Sequence, residues 1–181
     1  PSTGKEVEDE SAVKTQRCTR HEPFVCVGID DDPVCRVLIQ MVLQELSPDV
    51  SVTLGATRRE LLCVVDMALG RCSVHMRPIP SSQQRAVDLM IIDQHLLGDD
   101  GHVILGTELA ADLRAQGFEG IICILSSASR AELEILEAHP AVDLARGKGQ
   151  VTSELTTELK RHLAARKKGQ QFSSDGRGSG G

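Results

Sequence analysis

Aromatic side chains are nearly absent from this chain of 181 residues, which has three Phe and neither Tyr nor Trp. That scarcity argues against base-stacking platforms and aromatic ligand cages, both of which need such rings. A surplus of positive charge is also missing: the net charge is −6, unsuited to a general nucleic-acid binder, although the C-terminal segment is locally basic. No apolar stretch approaches the roughly 20 residues needed to span a membrane, and the first residues lack the apolar core of an export signal. Six cysteines are present, but none forms a C-x-x-C pair or a zinc-type spacing. Cys26 and Cys123 fall in apolar runs and Cys35 and Cys63 in helical patterns, while Cys18 and Cys72 lie in polar surroundings. They read as reduced thiols, which implies a cytoplasmic protein.

What the chain does have is acids at the ends of buried strands. Phe24-Val25-Cys26-Val27-Gly28-Ile29 runs into Asp30, Asp31 and Asp32, and Val87-Asp88-Leu89-Met90-Ile91-Ile92 runs into Asp93. Continuous apolar runs of this length suit strands covered on both faces, as in a parallel sheet. Open α/β sheets bind their ligands at the carboxyl ends of such strands.

The remaining pattern alternates strand and helix. Asp32-Pro33 starts a helix whose apolar positions Val34, Val37, Leu38, Met41, Val42 and Leu46 trace one face up to Ser47-Pro48. Val50 to Leu54 alternates as an edge strand does, and a helix follows over 58–69, closed by Gly70. Residues 71–86, with two prolines, read as a surface insertion. After Asp93, residues 94–101 read as a loop leading to a helix over 102–115. Further strands at 121–125 and 142–145 precede helices at 130–137 and 152–167. The prediction is a doubly wound (βα)5 α/β domain over residues 23–168, with helices on both faces of a five-stranded parallel sheet. Residues 1–22 and 169–181 are polar and unpatterned and read as flexible linkers. The chain begins with Pro, which suggests a piece of a longer protein.

Collected at the strand ends are Asp30, Asp31 and Asp32, then Asp93, then Ser126 and Ser127, and finally Lys148. Carboxylates, a hydroxyl and an ammonium at one sheet edge form a set that handles phosphoryl groups. The acids suit Mg²⁺, and the other groups neutralise phosphate oxygens. A carboxylate there can itself be the nucleophile.

The string Val27-Gly28-Ile29-Asp30-Asp31-Asp32-Pro33 resembles the opening of a response-regulator receiver domain. Asp88-Leu89-Met90-Ile91-Ile92-Asp93 with Asp100-Gly101 resembles that family's phosphoacceptor strand and loop. The likeness covers about 23–165 and implies a flavodoxin-like strand order 2-1-3-4-5. It implies that Asp93 is the phosphoacceptor, taking its phosphoryl group from a phosphohistidine. Asp30, Asp31, Asp93 and the His95 backbone carbonyl would hold Mg²⁺, with Asp31 as a direct ligand and Asp30 orienting a metal-bound water. Ser126, with Ser127 as the alternative, would be the switch hydroxyl, and Lys148 would pair with Asp93. The partner implied is a histidine kinase or histidine phosphotransfer domain, with a homodimer left open and no direct contact with nucleic acid or membrane. Such a domain phosphorylates and dephosphorylates itself in a two-component relay and is not a turnover enzyme. It would be a piece of a hybrid kinase or another multidomain sensor.

The chain departs from the family pattern at Leu97 and Gly149, where Pro is common, and at Ala145, where an aromatic residue is usual. Those departures motivate a second reading, a pseudo-receiver that works as an interaction or dimerisation module without phosphorylation. A haloacid-dehalogenase phosphatase ranks lower, because Asp93-Gln94-His95 lacks the second Asp of that motif. Simpler roles exist for each residue alone: Asp32 as a helix cap, Asp99-Asp100-Gly101 as a turn, a serine of 126–129 as a cap. The six histidines show no metal spacing, and His95 alone lies near the site.

Overall fold

The computed structural model describes residues 24–46, 51–55, 57–72, 85–98, 101–150 and 153–175. The expected N-terminal linker, most of the 71–86 insertion, Asp99, Asp100, Cys18, His21, His75 and the last six residues lie outside the described ones.

Five strands form one parallel sheet: β1 (Cys26–Ile29), β2 (Ser51–Leu54), β3 (Leu89–Asp93), β6 (Ile121–Ser126) and β7 (Leu144–Gly147). Between β3 and β6 lie two short strands, β4 (His95–Leu97) and β5 (Val103–Leu105), which pair with each other as an antiparallel hairpin. The helices are α1 (Pro33–Leu46), α2 (Arg58–Ala68), α3 (Gly106–Ala115), α4 (Arg130–Glu137) and α5 (Ser153–Asp175), with a 3-10 turn at Lys148–Gln150. The parallel order is β2-β1-β3-β6-β7, which is the predicted 2-1-3-4-5 once the hairpin is set aside. The alternating strand, β2, lies at the edge, and the continuous apolar runs lie inside, as their two-sided burial requires.

Side chains of successive residues go to opposite faces, and two cores result. Cys26, Leu89, Ile91, Cys123 and Leu125 pack with Ile39 and Leu43 of α1 and Leu155, Leu159 and Leu163 of α5. Val27, Ile29, Met90, Ile92, Ile122 and Ile124 pack with Leu61 and Val64 of α2 and Leu109 and Leu113 of α3. Burial pushes the Cys26 and Cys123 thiols up to about 12, so both are inert core groups, and the five described cysteines are free.

Several predicted features are corrected. The buried face of α1 is Ile39, Val42 and Leu43, whereas Val34, Val37, Leu38 and Met41 point to solvent. This helix is apolar on both sides, so periodicity alone did not select the face. The sheet selects it, because Gly28 leaves a gap that Ile39 fills. The 94–101 loop and the start of the next helix become the hairpin. Leu96 is buried under it, Gly101 turns with φ 77°, and α3 begins at Gly106 rather than at 102. The last strand lies two positions later than the pattern suggested, because Ala141 and Val142 bury in the turn before it. Finally, α5 continues through 169–175, residues expected to be linker.

The Gly28 gap makes a stability test. An added Cβ would clash with Ile39 Cγ2 and stand 3.2 Å from Thr53 Cγ2. Gly28→Ala is expected to cost about 1–3 kcal/mol, the usual range for overpacking a core, read as a lower urea midpoint.

Candidate phosphoryl site

Asp30 is the first residue beyond β1. Its amide donates to the Leu54 carbonyl at 3.1 Å, and its Oδ1 accepts from the Asp32 amide at 2.9 Å. Its backbone passes close beneath Gly55, whose φ of 116° and missing Cβ permit the approach. Asp32 faces outward, and its Oδ1 accepts from the Val34 amide at 2.7 Å, capping α1 as Pro33 had implied. Arg36, one turn into α1, reaches back. Its Nη1 donates to the Asp30 carbonyl at 2.9 Å and the Asp31 carbonyl at 2.7 Å, holding the acidic turn against the helix.

Asp93 closes β3, and its backbone runs close against Gly106 at the start of α3. Lys148, just past β7, crosses the sheet edge. Its Nζ stands 2.8 Å from Asp30 Oδ2 and 3.0 Å from Asp93 Oδ1. Asp30 is fully buried and Asp93 nearly so. Burial raises the Asp93 carboxyl above the usual carboxylate range, opposed by the Lys148 contact and reinforced by the Asp30 charge. For Lys148, burial acts to lower the affinity for its proton, but the two carboxylates outweigh it and the ammonium is held more tightly than usual.

Ser126 is the last residue of β6 and is buried, with its Oγ accepting from the Ala128 amide at 3.2 Å; Ser127 is exposed. Register places Ser126 beside Gly147 and one residue beyond Leu125, the partner of Asp93. The hydroxyl's strand therefore lies between those of Asp93 and Lys148. His95 is exposed in β4. The hairpin bonds Gly106 N to Gln94 O and Gly98 N to His102 O, both 2.9 Å or less. Alternation of bonded and unbonded pairs then turns the His95 carbonyl away from β5. The sequence reading missed Arg36 and Gln94. Gln94 is buried beside Asp93, with Nε2 3.3 Å from Thr107 Oγ1. A lone arginine in the first turns of an apolar helix was the available signal for Arg36.

Asp30, Asp31 and Asp93 each bring a carboxylate oxygen within 4.8 Å of the others. Three oxygen donors at a crest shared with one ammonium fit Mg²⁺, which takes carboxylates and keeps several waters. The donor set also explains why Asp30 Oδ2 is buried with an ion-pair partner and no aligned hydrogen bond.

No protein-family model matches the chain, and no curated protein matches its sequence. Solved structures do. A receiver domain from Clostridium thermocellum is 16% identical with a TM-score of 0.56, over 80% of this chain and 97% of that one. The receiver domain of the histidine kinase CKI1 from Arabidopsis thaliana, solved with Mg²⁺ and BeF₃⁻, is 16% identical with a TM-score of 0.56, over 78% and 90%. The Thermotoga maritima response regulator DrrB is 18% identical with a TM-score of 0.55, over 80% of this chain and 54% of that one. The chain thus spans about half of that regulator and nearly all of the isolated receiver domains. It has the fold of response-regulator receiver domains, and its acidic cluster fits the site of that fold.

Two outcomes follow from the site's electrostatics. A carboxyl whose folded pKa is raised binds more protons when folded than when unfolded, so its ionisation lowers stability as pH climbs from the ordinary carboxylate range through the raised value. Asp93→Asn is therefore expected to raise the urea midpoint at pH 7, with the gain vanishing below the ordinary carboxylate range. Arg36→Met should weaken Mg²⁺ binding about tenfold by loosening the acidic turn, as loss of an outer-shell contact does. Calorimetry or NMR would read it, since the chain has no Trp or Tyr to report by fluorescence.

Proposed function

We propose that this chain is a phosphoacceptor domain in a histidine-to-aspartate relay, with Asp93 as the residue that takes the phosphoryl group. The observation that carries the reading is the Lys148 ammonium lying between the Asp30 and Asp93 carboxylates on a receiver fold. An Asp93 carboxylate oxygen attacks phosphorus in a phosphohistidine of a kinase or phosphotransfer partner. The new O–P bond forms as the P–N bond breaks, and the imidazole leaves with its electron pair and is protonated. Lys148 gives up part of its contact with Asp93 to the phosphoryl oxygens, whose charge of about −1.5 to −2 it helps to balance. Asp30, Asp31, Asp93 and the His95 carbonyl would hold Mg²⁺, which when bound neutralises developing charge on those oxygens. The domain acts on itself and is not a turnover enzyme.

In this reading Ser126 is the switch hydroxyl, favoured over Ser127 by its burial at the strand end. Turning its Oγ towards a phosphoryl group takes the acceptor from the Ala128 amide, directly before the Ser129 cap of α4. The response passes to α4 through the backbone, with Ala145 in place of an aromatic relay. The pseudo-receiver alternative has no specific observation of its own, because the charged set it would dispense with is assembled.

The test is incubation of the full chain with Mg²⁺ and acetyl phosphate, followed by mass spectrometry. A single phosphoryl increment on wild type and none on Asp93→Asn is the expected outcome. No Asp93-dependent adduct, together with no NMR response to Mg²⁺ and BeF₃⁻, would overturn the assignment.

A further inference from the structure

Cys63 and Cys72 form a pair of thiols that the acidic site does not use. Cys63 lies in α2, one turn before Asp66 along the helix surface. The helix closes on Gly70, whose φ of 73° reverses the chain. The Gly70 amide donates to the Met67 carbonyl at 2.9 Å, and the Arg71 amide donates to the Asp66 carbonyl at 2.7 Å. The Cys72 amide reaches the same Asp66 carbonyl at 3.2 Å, so the chain turns back onto the last turn of α2. Both cysteines therefore stand within a turn of Asp66, and both are half-buried, within reach of solvent. Burial, the Cys63 thiolate and the Asp66 carboxylate, in that order, hold the Cys72 thiol above its ordinary pKa. Cys63 thus weighs on Cys72 more than the Asp66 carboxylate does, although Asp66 is nearer in sequence. The other described thiols are placed differently. Cys26 and Cys123 are sealed in the core, and Cys35 lines a small pocket with Asp30 and Lys148.

From this placement we infer that Cys63 and Cys72 are a dithiol modification site, closed to an intramolecular disulfide by peroxide and reopened by reducing thiols. A thiolate of the pair attacks a peroxide oxygen, the O–O bond breaks, and the departing hydroxide takes up a proton as water. The second thiolate then attacks the sulfenic sulfur so formed. The S–S bond forms as the S–O bond breaks, and a second water leaves. Two thiols lose two electrons to the peroxide, which is reduced to two waters. A nearby second thiol stops the chemistry at the reversible disulfide, where an isolated sulfenic acid goes on to the irreversible sulfinic acid. A disulfide needs its two Cα atoms about 4.4–6.8 Å apart, and Gly70 is the pivot that lets Cys72 close over the helix end. The pair lies at the sheet edge opposite the acids. The Val87 amide, before β3, donates to the Ala68 carbonyl of α2 at 2.8 Å, whereas Asp93 closes the far end of β3. The inference therefore does not depend on the phosphoryl-transfer reading.

Treatment of the reduced full chain with a small excess of hydrogen peroxide, then alkylation, trypsin and mass spectrometry, tests the inference. Trypsin cuts after Arg59 and Arg71, so Cys63 and Cys72 fall on separate peptides that the bond would join. Titratable thiols should fall by two from the six of the reduced chain, and the joined peptides should appear. Dithiothreitol should restore all six, and the yield should not change with protein concentration. Cys63→Ser should abolish the joined peptides and leave Cys72 as a sulfenic acid that dimedone captures. Cys18→Ser should leave the joined peptides unchanged. The wild-type peptide map decides by itself, so the inference stands or falls even where the Cys63→Ser chain does not fold. Absence of the joined peptides, a bond from either cysteine to Cys18 or Cys35 in their place, or a bond formed only between two chains overturns the inference.

Discussion

One ammonium holds two buried carboxylates together. Lys148 lies within ion-pair distance of Asp30 and Asp93, which approach the same point from neighbouring parallel strands. Without a cation between them, two acids at a nearly dry sheet edge would repel, and at least one would keep its proton. Desolvation already raises the Asp93 carboxyl, so the lysine offsets only part of the cost. A further cation at the crest would offset more of that cost.

The close fit that brings the acids together depends on missing side chains as much as on present ones. Gly55 lets the backbone of Asp30 turn under the end of β2, and Gly106 lets that of Asp93 pass against the start of α3. Gly28 draws α1 onto β1 by accepting Ile39. Arg36 then locks the acidic turn to α1 by two carbonyl contacts. The carboxylates are thus fixed from below by the sheet and from the side by a helix. Positioning of this kind, on strand ends rather than on a free loop, suits a site that must hold its geometry while charge moves.

Much of this was legible beforehand. Continuous apolar runs ending in acids placed β1 and β3 inside a parallel sheet, and the Asp32-Pro33 pair placed the start of α1. What escaped the sequence reading has physical causes. The β4–β5 hairpin occupies residues that look like a loop, because each strand has only three residues and a period-two pattern cannot be read over so few. The α1 face was misassigned because the helix is apolar on two sides, and only the partner surface decides which side is buried. Arg36 was passed over because its acceptors are main-chain carbonyls, which leave no trace in residue type.

The two faces of the sheet hold their helices differently. On one face, α1 and α5 bury full rows of Ile and Leu against the sheet. On the other, α4 buries no residue completely, and only Leu133 and Leu136 pack against the core. It is held by the Ser129–Glu132 capping box and by Arg146, which bonds Glu137 of α4 and Glu158 of α5. Beneath it Ala145 leaves an open groove lined by Leu133, Gly147 and Gly149. Elements that move at low cost have few buried apolar contacts, and α4 meets that description, its Ser129 cap following directly on Ala128, whose amide donates to the Ser126 hydroxyl. An aromatic side chain at position 145 would fill the groove and tie α4 to the sheet. Alanine leaves the helix to its cap and its ion pairs.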